Sequence, residues 1–370
     1  MKIAFCTPFK PLVHPRISGD VTIAFDLFSF LQKRGHDLWM VPYVSTEWVW
    51  RKPRSWPKVF STMHLVREEL SGKDAPDLWF TYHSYYRAPD ILGTLAVRHR
   101  IPYAIFAASH AKKRAANWKT KPGYYLNKQS LEQATHLFTN KHRDLEGLYQ
   151  VAPKDKVTFI PPGIRTDKFI RDEDARKAKR KEWDMADKTV ILTVAMLRKG
   201  TKSKGVEHVI TACNRLVSQG HDIALVIAGD GIMRPQLENL AEELLPQRNK
   251  FLGTIQSEEL SGIYSSCDIF AFPGINEGLG MVYLEAQSCG LPVVAWDHDG
   301  APQVVVHEKT GLITPSYNNE QFASAIGELA SRPDKRKAMG KAAQDHAREN
   351  HTISTNYLAL EEKLTAIAGV

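Results

Sequence analysis

Cysteine is sparse in this chain and poorly spaced for pairing. Cys6, Cys213, Cys267 and Cys289 lie far apart, with no Cys-x-x-Cys among them. That spacing speaks against a disulfide framework or a zinc knuckle and for a reducing compartment. No apolar run approaches the roughly 20 residues that a helix needs to cross a bilayer. The opening MKIAFCT reads as a short apolar strand ending in polar residues rather than as a signal peptide, so a cytoplasmic protein is expected. No Ser-His-Asp or Cys-His arrangement is recognisable, which removes the usual basis for a covalent hydrolase. Low-complexity tracts are missing, and so is any internal repeat beyond a general alternation of strand and helix patterns. Acid is absent from Ala111 to Ser130, a stretch holding 6 Lys or Arg residues.

What is present is a chain of 370 residues, 43% hydrophobic and 24% charged, a length and composition that fit two globular domains. The balance is basic, with a formal net charge of +8 and a pI near 9.1. Strands are expected at Lys2–Thr7, Leu38–Val44, Leu78–His83, Tyr103–Ala108, His136–Asn140 and Val157–Ile160. A second set is expected at Val190–Met196, Ile223–Ala228, Ile269–Phe272, Val293–Trp296 and Leu312–Thr314. Helical patterns lie between them. Val206, Val209, Ile210, Cys213, Leu216 and Val217 repeat at helical spacing, with Gly220 as a stop. This alternation predicts α/β architecture, parallel sheets with helices on both faces. The densely charged stretch Arg171–Lys188 carries no strand pattern, which puts the domain boundary between Arg165 and Lys188.

The most informative segment is GINEGLGMVYLEAQSCGLPVV, residues 274–294. Glu277 and Glu285 flank the turn Gly278-Leu279-Gly280, and a short apolar helix follows from Met281. The first turn of such a helix offers unpaired amides and a positive dipole end to a phosphate. Glycines at 278 and 280 let backbone approach a ligand. An ionised Glu285 can accept hydrogen bonds from two vicinal hydroxyls, such as those of ribose. Two solvated surface glutamates are the plain alternative, and the glycine frame followed by a buried strand weighs against it. A second anion site is suggested by Arg198-Lys199-Gly200-Thr201-Lys202-Ser203-Lys204-Gly205 in a strand-to-helix loop.

The first segment resembles the signature of family 4 of the retaining glycosyltransferases: glutamate, seven residues, then glutamate, inside Pro-x-x-x-Glu-Gly-x-Gly. Pro273, Glu277, Gly278, Gly280, Glu285, Ala286, Gly290, Pro292 and Val293 match that frame. The resemblance implies two Rossmann-like domains facing across a cleft, the GT-B type. Residues 1–168 would form the acceptor-side domain, 169–350 the nucleotide-sugar domain, and 351–370 a helix packing back on the first. It gives Glu277 the donor sugar and Glu285 the ribose, with Gly278, Leu279, Gly280 and Met281 around the nucleotide. Lys204, before Gly205, would grip the diphosphate. Met196 replaces the family's arginine, leaving Arg198, Lys199 or Lys202 as substitutes, with Arg198 preferred. Gly229 matches the family's Gly-x-Gly after its second strand in this half, and Phe251-Leu252-Gly253, then Leu260, Tyr264 and Asp268, follow the pattern around the base. Gly19, in the loop Pro8 to Gly19, matches one of a glycine pair near the phosphates. His110 matches a histidine near the transferred sugar, and His83 sits at a comparable strand end. Gln303 stands where many relatives carry glutamate.

The expected partners are therefore a nucleotide-sugar donor and a glycan or lipid-linked acceptor, in cell-surface polysaccharide, lipopolysaccharide or glycolipid synthesis. No metal or other cofactor is expected, since basic residues already offset the diphosphate. The triplet Asp297-His298-Asp299 reads as a loop near the donor sugar. Two basic-aromatic patches, Trp48–Lys58 and Ala111–Ser130 with Trp118, Tyr124 and Tyr125, suit an anionic membrane surface. They suit an acidic glycan equally, and a solvated basic loop is the plain reading. A nucleotide-sugar 2-epimerase of the same fold is one alternative. A non-enzymatic nucleic-acid binder is another; it would explain the pI but not the glutamate frame, so no nucleic acid is expected.

Overall fold

The protein is described by a computed structural model covering residues 1–13 and 19–369. It divides into two compact units, one of Met1–Pro161 with Ser354–Val370 and one of Pro162–Ile353.

The first unit holds a six-stranded parallel sheet: β1 (Lys2–Cys6), β2 (Asp37–Met40), β3 (Leu78–Tyr82), β4 (Tyr103–Phe106), β5 (His136–Thr139) and β6 (Val157–Phe159), in the order β2-β1-β3-β4-β5-β6. β3, β4 and β5 are buried along their whole length, as parallel strands covered on both faces must be. That is why their apolar runs read as strands without alternation. The expected strand Leu38–Val44 is shorter in the structure. It ends at Met40, while Val41 and Val44 pack into the core from the following loop. The helix Ile353–Ala368 belongs to this unit. Tyr357 meets Phe30 edge-on at 5.6 Å, and Glu361 takes Arg34 Nε at 2.8 Å and His36 Nε2 at 2.9 Å.

The second unit repeats the plan with β7 (Thr189–Val194), β8 (Ile223–Ala228), β9 (Asn249–Gly253), β10 (Ile269–Ala271), β11 (Val293–Trp296) and β12 (Gly311–Thr314), ordered β12-β11-β10-β7-β8-β9. β7 and β10 are neighbours at the centre, so the loops leaving their carboxyl ends meet. No strand is expected at β9 from its residues. β9 is an edge strand opening on Asn249 and Lys250 and only half-buried over four of its five residues, so it lacks the apolar run that marks its neighbours.

The charged stretch after Arg171 is a helix, Glu173–Glu182, whose first turn is capped by the Asp172 carboxylate accepting from Asp174 N and Ala175 N. Its inner face carries Arg176 and Arg180 to Asp268, at the entry to β10. Burial alone would raise the Asp268 pKa, but the two guanidiniums outweigh it and hold the carboxyl below its usual range. Asp268 also accepts from Val190 N at 2.8 Å. This corrects the expectation that it lies in the pattern around the base. It ties a helix to the amino end of the sheet.

Candidate functional site

The site grows from the carboxyl ends of β7 and β10. After β10 the chain turns through Gly274, Asn276 and Gly280, all at positive φ, before the helix Met281–Ser288. Gly280 holds φ 71°, and a Cβ there would lie 2.9 Å from the Gly300 carbonyl oxygen and 2.8 Å from Val304 Cγ2. Only glycine meets both demands. The Gly300 amide donates to the Glu277 carbonyl at 2.8 Å, and Gln303 Nε2 donates to Asp299 O at 3.1 Å and Gly278 O at 3.4 Å. A glutamate at 303 could not donate to these carbonyls when ionised, which gives the departure at this position a physical reason. The loop carrying Asp297, His298 and Asp299 is thereby clasped against the glycine turn. Gly280→Ala should strain the turn and displace this loop, costing about 2 kcal/mol or more. A melting temperature equal to the parent's would contradict that account.

Glu285 projects one turn into the helix, where the Tyr264 hydroxyl donates to its Oε2 at 2.6 Å. Burial pushes its pKa up to about 7. The Tyr264 hydrogen bond pulls the other way, Glu277 raises it further and Lys202 lowers it. Tyr264 itself is fully buried, so its hydroxyl is committed to this carboxylate rather than facing a base. Its apolar surroundings gave the sequence reading no sign of that task.

From the β7 side, the helix Thr201–Ser218 starts earlier than its lysine-rich opening suggests. Gly205 lets it lie directly on the end of β10, since a Cβ there would come within 2.7 Å of the Phe272 ring. This approach carries Lys202 to Glu277, with Nζ 3.0 Å from Oε2 and a Glu277 side chain only 14% exposed. Lys204, the expected diphosphate grip, is exposed two residues further on, and among the described residues it makes no ion pair. Arg198 and Lys199 are also exposed, although the Arg198 carbonyl fixes the loop by accepting from Ser203 Oγ at 2.6 Å.

The remaining expected residues are placed as follows. Gly278, Leu279 and Met281 lie half-buried in the turn and first helical position. At Gly229 a Cβ would fall 1.9 Å from the Ala195 carbonyl oxygen, and at Gly253 2.9 Å from an Arg234 nitrogen, so protein already accounts for both glycines. In the first unit, Gly19 opens the helix Gly19–Lys33, while the rest of the expected phosphate loop includes residues 14–18, which lie outside the described residues. His110 is buried, and its Nδ1–H donates to the Gly147 carbonyl at 3.1 Å. Nε2 thus keeps its lone pair and has no protein partner. Burial lowers the His110 pKa, so the ring is neutral. His83 is half-buried and stacks on Tyr85, with burial lowering its pKa to about 4. Among the described residues no group of three or more His, Cys, Asp or Glu is arranged to hold a metal, and no helix is long and apolar enough to cross a membrane.

Residues 175–346, which contain this whole constellation of carboxylates, glycine turn and Lys202, match the family model described as Glycosyl transferases group 1. That match takes in a little under half of the chain. The chain is similar to the GDP-mannose-dependent alpha-(1-6)-phosphatidylinositol monomannoside mannosyltransferase of Mycolicibacterium smegmatis, 34% identical over 221 residues, 58% of this chain and 57% of that protein. The enzyme of the same description from Mycobacterium tuberculosis is 29% identical over 292 residues, 76% of this chain and 73% of its own length. A D-inositol 3-phosphate glycosyltransferase of Corynebacterium jeikeium is 32% identical over 230 residues, 59% of this chain and 54% of that protein. Among solved structures, HepE of Anabaena in complex with UDP superimposes with a TM-score of 0.76 at 18% identity, covering 99% of this chain and all of that one. The glycosyltransferase fold is thus the GT-B type, two parallel six-stranded sheets with their helices. Glycosyltransferase activity is what these matches support for the chain, and relatives of this kind are consistent with glycolipid synthesis.

Proposed function

We propose that this chain is a retaining, metal-independent glycosyltransferase of family 4 that moves mannose from GDP-mannose to a hydroxyl of an inositol-containing glycolipid. The observation that carries the reading is the Lys202–Glu277 pair beside Glu285 at one sheet edge. These groups supply a cation for the departing diphosphate, a carboxylate for sugar hydroxyls and a carboxylate for the ribose diol. The anomeric carbon–oxygen bond to GDP breaks, the acceptor oxygen bonds to the same face, and the acceptor proton leaves on the diphosphate. Lys202 and the amides opening the helix at Met281 meet the charge that develops on the leaving group. Mannose and GDP are taken from the descriptions of the mycobacterial relatives, and so is the inositol lipid.

A lipid acceptor brings the enzyme to a membrane surface. Trp56, Phe60, Trp118 and Tyr125 are 44%, 63%, 76% and 53% exposed, and cationic residues lie beside them in sequence. That combination supports peripheral attachment to anionic lipid.

The test is thermal melting with GDP-mannose, UDP-glucose, UDP-N-acetylglucosamine and ADP-glucose, each with and without EDTA. A donor at about 100 times its dissociation constant should add roughly 2.7 kcal/mol. A shift with GDP-mannose that EDTA leaves intact is expected. A shift with UDP-sugars alone would overturn the donor, and one abolished by EDTA would overturn metal independence. The anomeric configuration of the product, read by NMR, decides retention.

A further inference from the structure

A second concave site lies in the same unit at the opposite, amino-terminal edge of the sheet. It is a cavity of about 400 Å³ bounded by the loop before the helix Glu173–Glu182, by Asp268 and the turn Gly290–Pro292, and by one face of the helix Pro333–Asn350. Its walls carry four cations, Arg171, Arg336, Lys337 and Lys341, against two acids, Glu173 and Asp268.

The charges do not cancel, and how they are paired shows where the excess sits. Asp268 is already held by both Arg176 and Arg180 from behind the wall. Glu173 is held by Arg171 at 2.5 Å, which keeps its carboxyl below the usual range. Lys341 pairs with Asp345 at 2.7 Å. Arg336 uses one guanidinium nitrogen, Nη1, on neutral acceptors, the carbonyls of Leu329 at 2.7 Å and Ala330 at 3.0 Å. Lys337 is exposed and, among the described residues, pairs with no carboxylate. Arg336 and Lys337, adjacent on one helix, therefore present charge with no acid to meet it.

We infer that this cavity binds a small phosphorylated molecule, a dianionic phosphate monoester, independently of the nucleotide-sugar site. Its volume falls in the range of small-ligand clefts of about 300–1,000 Å³. A guanidinium with unused N–H groups beside a lysine is a suitable pair for phosphate oxygens. Glycosyl transfer has no use for these residues. They approach the sheet from its amino edge, whereas Glu277, Glu285 and Lys202 lie at its carboxyl edge.

The experiment is calorimetric titration of the full chain with inorganic phosphate and with glucose 6-phosphate. Three variants accompany the parent: Lys337→Glu and Arg171→Gln in the cavity, and Lys202→Ala at the other edge. Lys337 is exposed, so its variant is expected to fold even if Arg171→Gln does not, and circular dichroism checks each. Glucose 6-phosphate should bind the parent and the Lys202→Ala variant alike and bind Lys337→Glu at least about tenfold more weakly, the loss of roughly one charged contact. Absence of binding to the parent overturns the inference. So does a loss in Lys202→Ala, or binding that Lys337→Glu leaves unchanged.

Discussion

Glu285→Gln should weaken nucleotide binding about 10- to 100-fold and at the same time make the protein more stable at pH 8. The two effects have one cause. The carboxylate sits where burial pushes its pKa from an ordinary 4.5 up to about 7. A group whose folded pKa is raised binds its proton more tightly in the folded state. Its contribution to stability is fully present below about 4.5 and is lost as pH rises through 7. Above pH 7 the folded protein therefore holds a charge that it would rather not hold. Glutamine keeps the shape and still accepts from the Tyr264 hydroxyl, but it carries no charge. After discounting for partial exposure, the gain at pH 8 is about 1–2 kcal/mol, or roughly 3–6 °C in melting temperature. At pH 4, below both pKa values, the variant and the parent should melt together. Nucleotide affinity of the parent should fall as pH drops through about 7, because the ribose hydroxyls need an ionised acceptor. Equal melting shifts at pH 4 and pH 8 would remove the charge argument, and unchanged affinity would remove the ribose assignment.

A residue kept charged at a cost to the fold is the kind of local conflict that marks a functional position. It is also a feature that a sequence cannot display. The glycine frame around Glu277 and Glu285 was legible because tight turns and helix starts demand particular residue types. The surroundings that set the Glu285 pKa include Tyr264, 21 positions away and brought in by a separate helix, whose hydroxyl donates to the carboxylate. Similarly, most strands were legible because central parallel strands are continuous apolar runs, whereas β9 at the edge was not. The helix Glu173–Glu182 lies in a stretch legible only as densely charged and without a strand pattern. Nothing in its composition showed that two of its arginines would turn inward to Asp268.

The same limit applies to the lysines, and it leads to the second large effect. Lys202→Ala should lower turnover about 100- to 1,000-fold, as removal of a group stabilising transition-state charge does. Lys204→Ala should stay within about threefold of the parent, as an exposed, unpaired surface charge does. In the sequence the Lys-Gly pattern favours Lys204, and Lys202 stands only among the substitutes for the missing arginine. The structure separates them through helix phase. Once the helix begins at Thr201, residues two apart point about 200° from each other on a coil of 3.6 residues per turn. Only one can face the sheet edge, and Gly205 packed on Phe272 sets which. Lys202 rests on Glu277 at 3.0 Å, so each member of the pair holds the other in place at the sheet edge. On the proposed function, the phosphates of an entering donor would compete for the ammonium and release Glu277 to the sugar hydroxyls. This exchange predicts a split in the kinetics. Glu277→Gln frees Lys202 in advance, so it should lower kcat while leaving donor KM unchanged or smaller. Lys202→Ala leaves Glu277 unpaired and should raise KM as well as lower kcat. If Lys204→Ala carries the loss instead, the Lys202–Glu277 pair is a resting contact without a catalytic task, and the diphosphate must lie on the outer face of that helical turn.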